Sequence, residues 1–441
     1  MTEPAPRTYY FVGIGGLGMS ALAQLLVARG DVVLGSDLSV SPTTDLLREK
    51  GIDVSIGQRK ENIPEGVDML VYSDAVSEDH EERSAGRERG IPEHSYFQLL
   101  GEISAGFRTV AVAGTHGKTT TTGMLAKILH DVGISPNAIV GSIVQDFGSN
   151  YLPGTSDLFI VEACEYRDHL LELSPEILII TNLEWDHTDY FPDLAALQAT
   201  FKQAIDQVPV HGTIVTDPEL PGIQPLLEGV VAKVVDYTQE PAFALRLPGG
   251  FNQDNARAAA AAARCIDPSL TDEVIAHALA DFRGTWRRFE YKGKTAHGID
   301  VLDDYAHHPT AITETLRALR ARLDTSGGGR IIVAFHPHLY SRTRDLLDGF
   351  ARAFTDADEV ILAPIFPARE IDDGTISSEL LAERIRAEGV SARAVARMED
   401  VVPMIQGLLR PGSEDTPPDT LILMGAGNIY TLAKDLVAYP V

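Results

Sequence analysis

Apolar residues in this chain fall into short runs that alternate with stretches whose apolar positions recur every three to four residues. The runs read as buried strands and the longer-period stretches as helices. Their alternation predicts α/β units built on parallel sheets. Tyr9–Ile14 reads as a first strand, Met19–Arg29 as a helix and Asp31–Ser36 as a second strand. Asp68–Ser73 (DMLVYS) reads as a further strand, followed by a helix around His80–Arg89, and this first unit ends near residue 104. A second unit opens at Arg108 with the strand TVAVAG and a helix from about Thr119. Leu158–Glu162 and Ile177–Asn182 are its further strands, and the Ala-rich segment Ala256–Cys265 reads as helix. A third unit begins near Trp286, with strands at Ile299–Asp303, Arg330–Phe335, Glu359–Ala363 and Thr420–Met424. Ser326–Gly329 and Gly412–Asp419 (GSEDTPPD) read as surface loops. The expected layout is three α/β domains over residues 1–104, 105–285 and 286–441.

Composition narrows the class. The 441 residues are 44% hydrophobic and 23% charged, ordinary values for a soluble globular chain. A formal charge of −26 argues against a nucleic-acid or anionic-membrane binder. It does not exclude a phosphorylated ligand, because phosphates are held by backbone N–H groups, a few basic side chains and Mg²⁺. Cys164 and Cys265 form no metal spacing and no disulfide framework, which fits a reducing cytosol. The polar start Met1–Thr8 lacks the features of a signal peptide, and no apolar run is long enough to span a bilayer. A cytoplasmic protein, monomeric or weakly dimeric, is the expectation.

Two glycine clusters carry the chemistry. Gly13-Ile14-Gly15-Gly16-Leu17-Gly18 sits between a predicted strand and a helix, the context in which G-x-G-x-x-G cradles a pyrophosphate. Asp37, at the tip of the second strand, is placed to bond a ribose hydroxyl. A tight turn without a ligand is the plain alternative, and a dinucleotide such as NAD is what this motif alone would suggest. The second cluster, Ala113-Gly114-Thr115-His116-Gly117-Lys118-Thr119-Thr120, ends in Gly-Lys-Thr, the working end of a phosphate loop. There Lys118 reaches β and γ oxygens and the Thr119 hydroxyl ligates Mg²⁺. Val112 stands where the usual loop has its first glycine, so the turn is shorter and falls to Gly114. A simple dehydrogenase needs the first cluster and has no use for the second.

With these residues in view, the chain resembles the Mur ligase family. G-T-H-G-K-T-T-T (114–121) looks like its ATP loop, and G-I-G-G-L-G-M-S-A-L-A (13–23) like the UDP-binding turn of the alanine-adding branch. Further matches follow in family order: G-S-D-L (35–38), V-E-A-C-E-Y (161–166), T-N-L-E-W-D-H (181–187), F-N-Q-D-N (251–255) and R-R-F-E (287–290). D-D-Y-A-H-H-P-T (303–310), H-P-H-L-Y-S-R-T-R (336–344) and M-G-A-G-N-I-Y (424–430) complete the set. The resemblance implies a Rossmann-like N-terminal domain for a UDP-sugar, a P-loop-type central ATPase domain and a Rossmann-like C-terminal domain for an amino acid. It implies an ADP-forming ligase in peptidoglycan precursor synthesis, acting through an acyl phosphate on UDP-N-acetylmuramate and L-alanine. A branch that attaches a preformed tripeptide to the same sugar nucleotide, and a nucleotide-binding regulator without turnover, are the alternatives.

Residue roles carried over from the resemblance are expectations. Gly13, Gly15, Gly16, Gly18, Asp37 and Ser73 belong to the UDP-sugar site, though Asp74 departs from the family pattern there. Gly114, Thr115, His116, Gly117, Lys118, Thr119 and Thr120 form the ATP loop. Glu162 ends an apolar strand and matches a Mg²⁺-ligating glutamate, a surface carboxylate being the plain alternative; Glu165 is a weaker candidate and Cys164 has no role. His187 matches a histidine beside a second Mg²⁺, an assignment the residue type alone would not suggest. Asn252 and Asn255 match adenine-contacting asparagines, with helix capping as the alternative for Asn252 and with Phe251 replacing the usual histidine. Arg288 matches an arginine reaching the ATP phosphates, with Arg287 its solvated neighbour. Asp304, Tyr305 and His307, in preference to His308, face ATP and the amino acid. His338, Tyr340 and Arg342 receive L-alanine, Arg342 clamping its carboxylate while Leu339 replaces an arginine of some relatives and leaves Arg344 to share the charge. Some family members carry a carbamylated lysine near the position of Lys202; with Phe201 the better match here, Lys202 reads as a surface residue.

Overall fold

A computed structural model describes residues 5–413 and 416–440. Glu414 and Asp415 of the expected GSEDTPPD loop and the first four residues of the polar start lie outside that range. The chain divides into two compact units. The first comprises Met1–Leu183, Leu197–Ala244 and Asn255–Arg283; the second comprises Glu184–Ala196, Leu245–Asp254 and Gly284–Val441.

The first unit holds two sheets. Five parallel strands run in the order Asp53–Ile56, Val32–Asp37, Thr8–Val12, Met69–Tyr72, Glu93–Ser95. Chain direction across the sheet reverses at Thr8–Val12, and in doubly wound sheets ligands settle at the carboxyl ends beside that reversal. Gly13 and Ser73 follow two neighbouring strand ends there, Val12 pairing with Tyr72. The second sheet has seven strands, ordered Lys233–Asp236, Thr213–Thr216, Ile177–Ile180, Arg108–Ala113, Leu158–Glu162, Asn137–Val144, Ser149–Leu152. All are parallel except the last, which closes a hairpin. Arg108–Ala113 is central, and its four residues Val110–Ala113 are buried.

The helix Leu17–Ala28 after the first glycine turn is tied to the hairpin by a buried polar knot. Gln24 exchanges hydrogen bonds with Asn150 (3.0 Å) and Ser149 (3.0 Å), and Asn150 Nδ2 donates to the Leu17 carbonyl (2.6 Å) and Ser20 Oγ (2.9 Å). Buried amides are stable only when satisfied in this way. The knot accounts for two sheets belonging to one compact unit.

The second unit is built on one seven-stranded sheet, ordered Ser391–Ala394, Glu359–Leu362, Ile331–Phe335, Thr420–Met424, Asp300–Asp304, Glu290–Lys294, Tyr439–Pro440. The first five strands are parallel, and Glu290–Lys294 runs antiparallel to both of its neighbours. Alternation along the strands sends Ile331, Val333, Phe335, Ile422 and Met424 into one apolar cluster, and Ile332, Ala334, Leu421 and Leu423 into another. Both faces are thus covered, which is why these strands read as unbroken apolar runs. The α/β class stands. Among the described residues no helix is long and apolar enough to cross a membrane.

Candidate active site

The first glycine turn is held from three sides. Gly13 (φ 81°) and Ile14 donate to the Ser36 carbonyl at 2.9 and 3.0 Å. Asp37 Oδ2 accepts from the Gly15 N–H at 2.8 Å and Oδ1 lies 3.4 Å from the Ser39 N–H, so this carboxylate braces the turn rather than standing free for a ribose. Gly18 admits the Tyr96 ring; a Cβ there would lie 2.7 Å from Tyr96 Cζ. Gly16 meets only ordinary contacts. Ser73 sits against Gly13, its Cβ 3.3 Å from where a Gly13 Cβ would stand. The departure at Asp74 has a partner: its carboxylate bonds His169, whose ring stacks on Phe97 with centroids 3.7 Å apart.

The second loop carries its charges close together. Gly117 (φ 82°) is the N-cap of helix Lys118–Asp131, and a Cβ on it would collide with Asn255 Oδ1, which also accepts from Thr121 Oγ1 at 3.2 Å. The helix start, with Thr119 and Thr120 buried, directs unpaired N–H groups and a positive dipole end at the loop. Lys118 Nζ lies 2.9 Å from each oxygen of Glu165, 3.3 Å from the Thr115 carbonyl, and bonds the Gly114 carbonyl. Burial alone would lower the Lys118 pKa; Glu165, with Glu162 adding, overrules it and holds the ammonium above the usual lysine value. Burial pushes the Cys164 thiol up to about 12, so it stays neutral. Thr119 Oγ1 lies 3.1 Å from Glu162 Oε2, and Glu162 Oε1 accepts from the Gly141 N–H. A hydroxyl and a carboxylate at that spacing are hard oxygen donors that fit Mg²⁺.

Two residues of the quoted motifs, for which the sequence suggested no role, shape this loop. Asn182 Oδ1 accepts from the His116 N–H (2.9 Å) and its backbone carbonyl from the Thr115 N–H (3.2 Å). Thr181 Oγ1 donates to the His116 carbonyl at 2.6 Å. Their position just beyond the neighbouring strand Ile177–Ile180 was the available signal. Glu165 does not lie a helical turn beyond Glu162: it ends an irregular stretch before the 3₁₀ helix Tyr166–Glu172, and turns to Lys118. Lys202 is at the surface, paired with Asp206 at 2.5 Å, while Phe201 is fully buried.

In the second unit the aspartates ending strand Asp300–Asp304 have separate partners. Arg287 places Nε 3.0 Å from Asp303 Oδ2 and donates to the carbonyls of Gly425 (2.6 Å) and Gly427 (3.1 Å). The expectation of a solvated Arg287 is therefore wrong: it is 4% exposed and locks the strand end to the turn after Thr420–Met424. Charge alone cannot tell a locking arginine from an exposed one; that depends on which neighbour presents carbonyls. Asp304 accepts the Phe289 N–H and the Ala306 N–H, both at 2.7 Å, and burial raises its pKa. It thereby clamps the backbone on either side of Arg288 and Tyr305, and the Arg288 guanidinium lies over the Tyr305 ring at 5.1 Å.

His307 Nδ1 donates to the Tyr305 carbonyl at 2.9 Å, and burial first, Arg342 second, hold its pKa well below the usual value. His338 accepts from Arg342 Nη1 at 3.1 Å; burial and Arg342 push it down to about 3. Both rings are neutral, 6.1 Å apart. Arg342 is buried, its Nε 2.7 Å from Asp186 Oδ1. Burial opposes the Asp186 charge, and Arg342 overrules it, keeping the carboxyl well below its ordinary range. Two of the five N–H donors of Arg342 are thus engaged within the unit, and three remain. His187 donates its N–H to Asp186 Oδ1 at 2.7 Å with φ 51°, and Arg287, Phe289 and Leu339 also have positive φ. Non-glycine residues hold that region only where surrounding structure enforces it. His308 caps helix Pro309–Thr325 and lies 3.2 Å from the Trp185 carbonyl. The Tyr340 phenol, raised by burial and Asp372, opens helix Tyr340–Asp345. Asn252 lies inside helix Gly250–Ile266, not at its cap, with Nδ2 2.7 Å from the Pro248 carbonyl. Phe251 packs against the apolar cluster of the second unit.

Family models match along the chain in order: "Mur ligase family, catalytic domain" over residues 8–108, "Mur ligase middle domain" over 112–224 and "Mur ligase, glutamate ligase domain" over 287–427. The chain belongs to the Mur ligase family. This Mur ligase is 39% identical to the UDP-N-acetylmuramate–L-alanine ligase of Desulfitobacterium hafniense, covering 98% of this chain and 100% of the relative. It is 36% identical to the enzyme of the same name from Clostridium kluyveri, over 97% of each. Among solved structures it resembles the UDP-N-acetylmuramate-alanine ligase of Thermotoga maritima (TM-score 0.77, 26% identity, 97% of each chain). It also resembles a murein peptide ligase of Psychrobacter arcticus (TM-score 0.73, 25% identity, 98% of this chain and 100% of that one).

Proposed function

We propose that this Mur ligase joins L-alanine to the lactyl carboxylate of UDP-N-acetylmuramate, converting ATP to ADP and phosphate. The observation that carries the reading is the grouping of Lys118, Thr119 and Glu162 at the carboxyl ends of two adjacent strands, in a chain whose full-length relatives bear that name. Residues 1–104 receive the UDP-sugar at the Gly13–Gly18 turn, 105–285 receive ATP at Gly114–Thr120 with Asn252 and Asn255 toward the base, and 286–441 receive the amino acid. Thr119 and Glu162 would hold Mg²⁺ and His187 would serve a second ion; such a metal would supply charge neutralisation on the phosphates. The lactyl carboxylate oxygen attacks the γ-phosphorus and the bond to the ADP oxygen breaks. Lys118 stabilises charge on the transferring oxygens. The amine of L-alanine then attacks the acyl carbon, an amide bond forms, and phosphate leaves. Arg288 is assigned to the ATP phosphates by the family pattern of R-R-F-E alone. His307 and His338, neutral as placed, orient the amine by hydrogen bonding, and Arg342, Tyr305 and Tyr340 line the amino-acid side. Asp304 acts by holding its neighbours' backbone. The reaction belongs in the cytoplasm, where ATP and UDP-sugars reside.

Phosphate release with ATP, Mg²⁺ and UDP-N-acetylmuramate tests the reading. Turnover with L-alanine is expected. Turnover only with a tripeptide acceptor would move the protein to the peptide-attaching branch, and silence with both would leave a nucleotide-binding regulator.

A further inference from the structure

Lys118 has three N–H donors, and four oxygens surround them: both of Glu165 at 2.9 Å and the carbonyls of Gly114 and Thr115. Glu165 is 1% exposed, so its charge is set against Lys118 with little screening by water. The two carboxylates of Val161–Tyr166 divide the loop between them. Glu162 takes the Thr119 hydroxyl and Glu165 takes the ammonium. Any phosphate oxygen to which Lys118 donates must replace one of the four oxygens, and the Glu165 carboxylate is the group with the same sign of charge and the same bidentate shape as a phosphate edge.

We propose that Glu165 is a positioning residue that competes with the nucleotide's phosphates for Lys118 and thereby sets nucleotide affinity. This rests on the reading of Gly114–Thr120 as the ATP loop. A carboxylate held beside Lys118 keeps the lysine inside the loop, pointed along the strand end, and repels phosphate that arrives without compensating charge. Affinity is lowered as a result, and exchange of spent nucleotide is eased.

The test is calorimetric binding of ADP with Mg²⁺ to the full chain, with Glu165→Gln, Lys118→Met and the double variant. E165Q keeps the shape and removes the charge, so it should bind about tenfold tighter, the scale of one charge-assisted hydrogen bond. Its KM for ATP should fall while kcat does not rise, and the gain should vanish in the Lys118→Met background. A residue that merely supported the fold would move neither the KM-to-kcat split nor the double-mutant coupling. Unchanged or weaker binding by E165Q would overturn the proposal, and weaker binding restored by raised Mg²⁺ would overturn it in favour of a metal ligand. If E165Q does not fold, Glu165→Asp decides the same point, because it keeps the charge but loses the two-oxygen reach; tighter binding is again expected and weaker binding overturns. Wild-type protein that fails to bind MgADP at all would instead overturn the ATP reading beneath it.

Discussion

The two glycine turns of the first unit are the same device with different chemistry. Each follows a central parallel strand, each opens a helix, and each contains a glycine at positive φ. They differ in what their nearest acid does. At Gly13–Gly18 the acid is Asp37, and it is bonded to the turn's own backbone. At Gly114–Thr119 the acids are Glu162 and Glu165, and they are bonded to the hydroxyl and the ammonium. At the first turn the N–H groups of Gly13, Ile14 and Gly15 are thus taken by Ser36 and Asp37, which fixes the shape of the turn. The second presents a lysine and a hard-oxygen pair, suited to charge that moves during reaction. The same glycine device is thus given different chemistry by the side chains that meet it.

That contrast can be broken by experiment, beginning with the largest effect. Lys118→Met should reduce phosphate-releasing turnover about 100- to 1,000-fold with UDP-sugar binding unchanged, as expected for one electrostatic group lost from a transition state; turnover within a few fold of wild type would end the assignment. Withdrawing Mg²⁺ with a chelator should weaken an ATP analogue roughly tenfold or more while leaving UDP-N-acetylmuramate affinity where it was. Equal loss at both sites, read by calorimetry, would erase the distinction between the turns. Gly117→Ala forces a Cβ onto Asn255 at positive φ and should lower stability by about 2 kcal/mol in thermal melts. Gly16→Ala, with room for the methyl, is the control and should stay near wild type. The smallest effect is Asp37→Asn, which keeps an acceptor for Gly15 but loses its charge, about 1 kcal/mol of stability. A larger loss of UDP-sugar affinity than of stability would mean that Asp37 contacts ligand after all.

Legibility differed along the chain for physical reasons. Central strands such as Leu158–Glu162 and Thr420–Met424 are buried on both faces, so their composition is unambiguous, and sequence and structure agree on their limits. Edge elements were passed over: Asn137–Val144 with Ser149–Leu152, Lys233–Asp236 and Ser391–Ala394 carry Asn, Ser, Gly or exposed charge, and they are strands because a neighbour supplies a ladder. The nearness of Thr119 to Glu162 follows from the sequence because loop motif and strand end coincide. The importance of Glu165, Arg287 and Asp186 does not, since a charged residue looks the same in sequence whether it meets water or a buried partner.

The amino-acid sequence by itself determined the α/β class, the two glycine turns and the membership of the Mur ligase family, because those depend on local periodicity and on short segments whose residues act within one turn of chain. Only the tertiary structure decided how charge is distributed over the sites. Asp37 meets Gly15 across 22 residues, Lys118 meets Glu165 across 47, and Asp186 meets Arg342 across 156. Pairings at such separations are selected by which strand ends the sheet order brings together. In a low-dielectric interior they fix which groups are charged and which remain to act on a ligand.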